Sequence, residues 1–182
     1  MAILLYALAT LSASATLSAQ PTCASSTTDK AANAALSFDD FDQKGTLPST
    51  FRALSERGCA REAAEAAEDY LLNGPARTDY QQRIIVWHMA QGLALAGDER
   101  QAAQLMAGTR VPIGNNDNLD WNNYVKASWA FLTKNRSAFD AAAAQLAGSS
   151  RAADRNNSTF VTGMGRCWAK PYRLAYNPDC GR

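Results

Sequence analysis

The chain has 182 residues, 47% of them hydrophobic, enough for one domain with a buried core. Its 18 Lys and Arg residues nearly balance 17 Asp and Glu, for a formal net charge of +1. Basic side chains are scattered rather than striped, so neither nucleic acid nor an anionic membrane surface has an electrostatic claim on it.

The first residues, AILLYALATL from Ala2 to Leu11, form a short apolar run of secretory-signal length. Small residues follow, and cleavage is expected after Ala15 or Ala19. The run is well short of the ~20 residues a membrane-spanning helix needs. No Lys or Arg precedes Lys30, so the positive charge of a signal rests on the terminal amine; an uncleaved apolar helix is the alternative. Lipid attachment at Cys23 is disfavoured because Gln-Pro-Thr precedes it in place of small residues. Residues 1–19 are therefore read as a signal peptide and the protein as periplasmic or secreted.

Residues 20–46 are read as a tether and an N-terminal turn. Gln20 to Asn33 is rich in Ser, Thr, Ala and Pro and is expected to lack order. In SFDDFDQKG, Ser37 to Gly45, the acids Asp39, Asp40 and Asp42 suggest calcium. The sixth-position Gly and twelfth-position Glu of an EF-hand loop are missing, however. The expectation is a solvated acidic turn with Phe38 and Phe41 tucked inward.

Leu47-Pro48-Ser49-Thr50 is a helix opening, with proline tolerated in the first turn and hydroxyls available to cap. The helix runs through Phe51 and Leu54 to Gly58. Its partner spans Ala60 to Leu72 and stops at Asn73-Gly74-Pro75. Its acids Glu62, Glu65, Glu68 and Asp69 are expected on a solvated face, with Arg61 in reach of Glu65. A second hairpin occupies Thr78 to Gly108. Within it, Trp87, Ala90, Leu93 and Ala94 keep helical spacing, Gly97-Asp98 breaks the run, and a new helix restarts with Ala102, Ala103, Leu105 and Met106. Small residues at Ala90, Gly92, Ala94, Ala102 and Ala103 are expected where these two helices touch. The loop Thr109 to Asp120 follows, rich in Asn and Asp and broken by Pro112 and Gly114. A third hairpin opens at Leu119-Asp120.

Gly58, Gly97 and Arg136 recur at an interval of 39 residues. Leu54, Leu93 and Leu132 keep the same interval, as do Ala63, Ala102 and Ala141, and Ala64, Ala103 and Ala142. Such a period belongs to helical arrays, whose units bury their faces against one another. The fold expected for residues 47–148 is thus all-α, three antiparallel helical hairpins. Residues 149–182 are expected to form an irregular tail with a short helix at Arg151 to Arg155, since Gly163, Gly165, Pro171 and Pro178 oppose a long one.

The stretch MAQGLALAGDERQAAQLM, Met89 to Met106, resembles the core of a tetratricopeptide unit. Ala90 falls at the small position of helix A, Gly97-Asp98 at the turn and Ala102 at the opening of helix B; Trp87 stands where an aromatic is common. GCAREAAEAAEDYLL is similar in its second helix, whereas ASWAFLTKNRSAFDAAAAQL departs at Arg136. The period exceeds the family's ~34 residues and the closing proline is missing. The resemblance covers roughly Leu47 to Ala147. It implies a helical-repeat adaptor that binds a protein or peptide, and it supplies no catalytic residues.

Four cysteines in an exported chain imply two disulfides. Three pairings are possible; Cys167 with Cys180 and Cys23 with Cys59 are preferred. No zinc spacing is present, and the one histidine, His88, is expected to be satisfied by a neighbouring polar group. Neither a GxSxG elbow nor a phosphate or dinucleotide loop occurs. No catalytic, metal or cofactor residues are therefore assigned. Trp121 and Tyr124 are the aromatics expected to touch a partner, with Asn116, Asp117 and Asn118 of the adjoining loop. Protein or peptide binding in the cell envelope is the function expected. The alternative is a small inhibitor or immunity-type protein acting on a toxin or hydrolase outside the cytoplasm.

Overall fold

The computed structural model describes residues 23, 24, 26–112 and 119–182. Residues 1–19 and the loop residues Asn116, Asp117 and Asn118 lie outside them. The fold is all-α, with no strand among the described residues.

Order begins earlier than a tether would allow. Helix α1, Thr27–Ala34, is opened by a reciprocal capping box in which Asp29 N–H donates to Ser26 Oγ and Ser26 N–H donates to Asp29 Oδ2. Two further links hold the segment down. Cys23 is bonded to Cys59, and the buried Asn33 donates to the Ser49 carbonyl while accepting from Ser49 Oγ. The Cys23–Cys59 link is the pairing the sequence favours, while the composition of Gln20 to Asn33 conceals the other two. The acidic turn is also not wholly solvated. Asp39–Lys44 forms one π-helical turn, closed by Gly45 in the left-handed region (φ 66°), and within this wider turn both Phe41 and Asp42 are buried. Phe41 stacks on Tyr70 at 4.0 Å between ring centres.

Three helix pairs follow: α2 (Phe51–Glu56) with α3 (Ala60–Asn73), α4 (Asp79–Ala96) with α5 (Glu99–Gly108), and α6 (Leu119–Leu132) with α7 (Arg136–Ala147). Their turns share one hydrogen-bond pattern. Gly58 and Cys59 donate to Ser55 and Leu54, Gly97 and Asp98 to Ala94 and Leu93, Lys134 and Asn135 to Phe131 and Ala130. The left-handed residue of the third turn is Lys134 (φ 57°), two positions before the Arg136 that a strict 39-residue interval selects. Ala130, not Leu132, consequently corresponds to Leu54 and Leu93, and Phe139 to Ala63 and Ala102. A non-glycine residue in that conformation costs about 1 kcal/mol. The Lys134 ammonium lies 4.1 Å from the centre of the Phe131 ring, a favourable cation–π placement.

One of the small residues meets a different helix. Gly92 faces α3, not α5: a Cβ there would lie 2.8 Å from the Ala60 carbonyl and 3.0 Å from Ala64 Cβ. The close backbone approach at Gly92 is therefore between neighbouring pairs. Arg61 likewise reaches across to Asp98 at 2.6 Å and not along its own helix to Glu65.

The tail contains a full helix, α8 (Ala152–Arg166), in place of the short one expected. Its glycines serve close packing. Gly165 lies against Phe139, and Gly163 lets the returning chain cross so tightly that a Cβ would sit 1.9 Å from the Asn177 carbonyl. After α8 the chain turns back through a short helix, α9 (Tyr172–Ala175), which packs against α4 and α8. Cys167–Cys180 closes this return, and Arg166 donates to the carbonyls of Cys180 and Pro178. Tyr172 and Ala175 are fully buried. No helix among the described residues is long and apolar enough to cross a membrane.

Gly163→Ala is expected to destabilise the fold by about 2 kcal/mol, the usual scale of overpacking. For a domain of this size that lowers Tm by roughly 4–8 °C in a thermal melt followed by circular dichroism. Gly148→Ala, where a Cβ would meet nothing closer than 3.5 Å, should leave Tm nearly unchanged.

Candidate functional site

Five side chains of α4, Tyr80, Ile84, His88, Gln91 and Leu95, recur at intervals of three and four and so share one face. Ala153, Asn157 and Phe160 do the same on α8. Two open hollows lie along this α4 face, each bounded by residues of both helices.

The first hollow, about 450 Å³, lies at the C-terminal half of α4. Its floor is built on a buried carboxylate. Asp42 has no exposed surface, and its Oδ1 lies 2.7 Å from His88 Nδ1. Its other oxygen accepts from the Gln43 side-chain amide. A buried carboxylate needs donors, so Nδ1 carries the proton. His88 Nε2 then makes no hydrogen bond with the described residues, and the ring keeps 16% of its side-chain surface exposed. The imidazole stacks on Phe51, ring centres 4.9 Å apart and planes within 7°. Phe51 is placed by Thr50, whose hydroxyl caps α2 at Ala53 N–H. Arg52 Nε donates to the Asp42 carbonyl at 2.9 Å. The opposite wall is Phe160 stacked on Tyr176, with Arg173 beside them. Ser55 also lines the hollow, without a hydrogen bond to His88.

The second hollow, about 260 Å³, lies at the N-terminal half of α4. Trp121 lines it together with the exposed Tyr80 and the half-buried Arg83, Ile84 and Val111. The indole N–H donates to the Thr109 carbonyl, and Asn122 pairs with both backbone groups of Val111. These bonds fix the described end of the loop that the sequence singled out. Asp154 is buried here and paired with Arg151 and Ser149.

Of the residues expected to touch a partner, Trp121 therefore lines a hollow, while Tyr124 is only 3% exposed. Tyr124 instead belongs to a polar knot behind the groove. Gln91 Nε2 donates to the hydroxyls of Tyr124 and Tyr176, which lie 2.5 Å apart. Burial pushes Tyr124 and Tyr172 well above the ordinary phenol range, and the neighbouring Tyr176 adds to both shifts. Tyr176 is raised as well, again by burial. Sequence reasoning missed Asp42 and the walls supplied by Phe160 and Tyr176. Asp42 looked like one of three equivalent surface acids, and no periodic signal marks a π-helical turn.

The chain matches no protein-family model, no curated protein and no solved structure.

Because burial disfavours the phenolate, the unfolded chain releases these protons first as pH rises. Stability is thus fully present below about pH 10 and falls above it, by about 1.4 kcal/mol per pH unit for each such tyrosine. Tm should hold level from neutral to mildly alkaline pH and drop beyond pH ~10. Tyr124→Phe combined with Tyr172→Phe should flatten that drop, whatever it does to Tm at neutral pH.

Proposed function

We propose that this chain is an exported, non-catalytic binding module that holds an extended segment of a protein partner along the α4–α8 face. One observation carries the reading. A single helix face presents half-buried aromatic, aliphatic and polar side chains over its whole length, with two hollows arranged along it. Such a surface suits alternate side chains of a peptide laid along the helix. The common turn pattern of the three helix pairs supports reading them as units of a tetratricopeptide-like array, with α8 as a further packing helix.

Export is supported by the apolar N-terminal run and by the pairing of all four cysteines in two disulfides, Cys23–Cys59 and Cys167–Cys180. The same two features support a periplasmic or secreted location. The inhibitor reading retains one supporting feature: Leu174, 53% exposed, stands on the disulfide-closed return.

A photoreactive benzoylphenylalanine placed in turn at Ile84, Asn157, Leu72 and Leu174 tests the site in the native host's envelope fraction. Adducts from positions 84 and 157 and none from 72 and 174 are expected. Trp121→Ala should weaken capture by roughly tenfold, the scale of an aromatic anchor. Adducts from position 174 alone would replace this reading with the inhibitor one.

A further inference from the structure

We infer that the peptide bound along α4 is acidic, with one of its carboxylates seated in the first hollow between Arg52 and Arg173. The inference deepens the proposed function and rests on it.

The charge around this hollow is one-sided. The lining includes the cations Arg52 and Arg173 and the His88 imidazole, and no carboxylate. The acid behind them, Asp42, is fully buried and already engaged by His88 and the Gln43 amide. Its carboxylate holds His88 and its backbone carbonyl holds Arg52, and it presents no charge to the groove. Arg52 is fixed through Nε by the Asp42 carbonyl, with its guanidinium carbon 5.8 Å from the centre of the Phe51 ring. Its two terminal nitrogens make no hydrogen bond with the described residues, and they are the ones that grip a carboxylate in a fork. Arg173 has no ion pair with the described residues. The hollow also has apolar sides. Phe51 beneath the imidazole and Phe160 on Tyr176 make two flat apolar walls, so the occupant combines a carboxylate with an apolar neighbour.

The rest of the groove agrees in sign. At the second hollow Arg151 is ion-paired with the buried Asp154, and the half-buried Arg83 adds one further positive charge. The whole chain carries a net charge of only +1, so this excess is local and not a bulk property. Cations focused in a groove with apolar walls act on a carboxylate more strongly than the same charges on open surface.

The test uses the full oxidised chain and isothermal titration at about 0.15 M salt with three capped peptides. They are Gly-Glu-Phe-Glu-Leu-Glu-Gly and its versions with Gln or Lys in place of each Glu. The acidic peptide is expected to bind roughly tenfold more tightly than the Gln peptide, and the Lys peptide weakest. Arg173→Gln, a change at an exposed position, should remove most of that preference. Arg52→Gln should do the same, with its fold checked by circular dichroism. Equal binding of all three peptides, or a preference untouched by Arg173→Gln, overturns the acidic assignment and leaves the groove standing. No binding by any peptide, together with no adduct from positions 84 and 157, overturns the groove itself.

Discussion

The structure turns on one buried carboxylate. Asp42 has no exposed surface, and a charge in that position persists only where donors surround it. His88 is the partner that α4 supplies, so their bond joins the N-terminal turn to the middle helix pair. Removing a carboxylate from water costs several kcal/mol, so a buried contact of this kind adds little net stability over a well-packed apolar substitute. What Asp42 adds is position: it holds the imidazole flat against Phe51 and thereby shapes the floor of the first hollow. Arg52 is anchored from the same residue through the backbone carbonyl. Fold and candidate site share this contact, and neither is described fully without it.

Most helix boundaries were legible in the residues because the breakers are strong. Asn73-Gly74-Pro75 ends α3, and Gly97-Asp98 divides α4 from α5. The register of the third pair was not legible. Lys134 takes the left-handed position that glycine takes in the other two turns, and the Phe131 ring that supports it is visible only in three dimensions. The length of α8 was hidden for the opposite reason. Gly163 and Gly165 look like helix breakers, yet each makes room for something that crosses close by, Asn177 in one case and Phe139 in the other. Propensity reads a glycine locally, and packing uses it globally.

The candidate site divides in the same way. Trp121 was identifiable from its place beside a polar loop, and it does line a hollow. Tyr124 had the same credentials and is buried, because Tyr176 returns from the end of the chain to cover it. Nothing near position 124 in the sequence announces that return. The α4 stripe from Tyr80 to Leu95 was present in the residues as well, but a helix face becomes a groove only when something stands opposite. That something is α8, which the glycines had concealed.

The two hollows consequently draw their walls from both ends of the chain around a central helix. Phe51 and Asp42 come from the N-terminal part, Phe160 and Tyr176 from the C-terminal part, and His88 and Gln91 from the middle. Bringing distant segments together costs loop-closure entropy that grows with the length of chain between them. Each disulfide offsets part of that cost at one end. Cys23–Cys59 closes a separation of 36 residues and Cys167–Cys180 one of 13, worth about 4 and about 3 kcal/mol in the entropic account. They restrain the segments that flank the groove and leave α4, which needs no staple because it packs against α3, α5 and α9. The placement of the cysteines therefore follows from the placement of the groove walls: the covalent links sit where the chain ends must be held against a helix that is already secure.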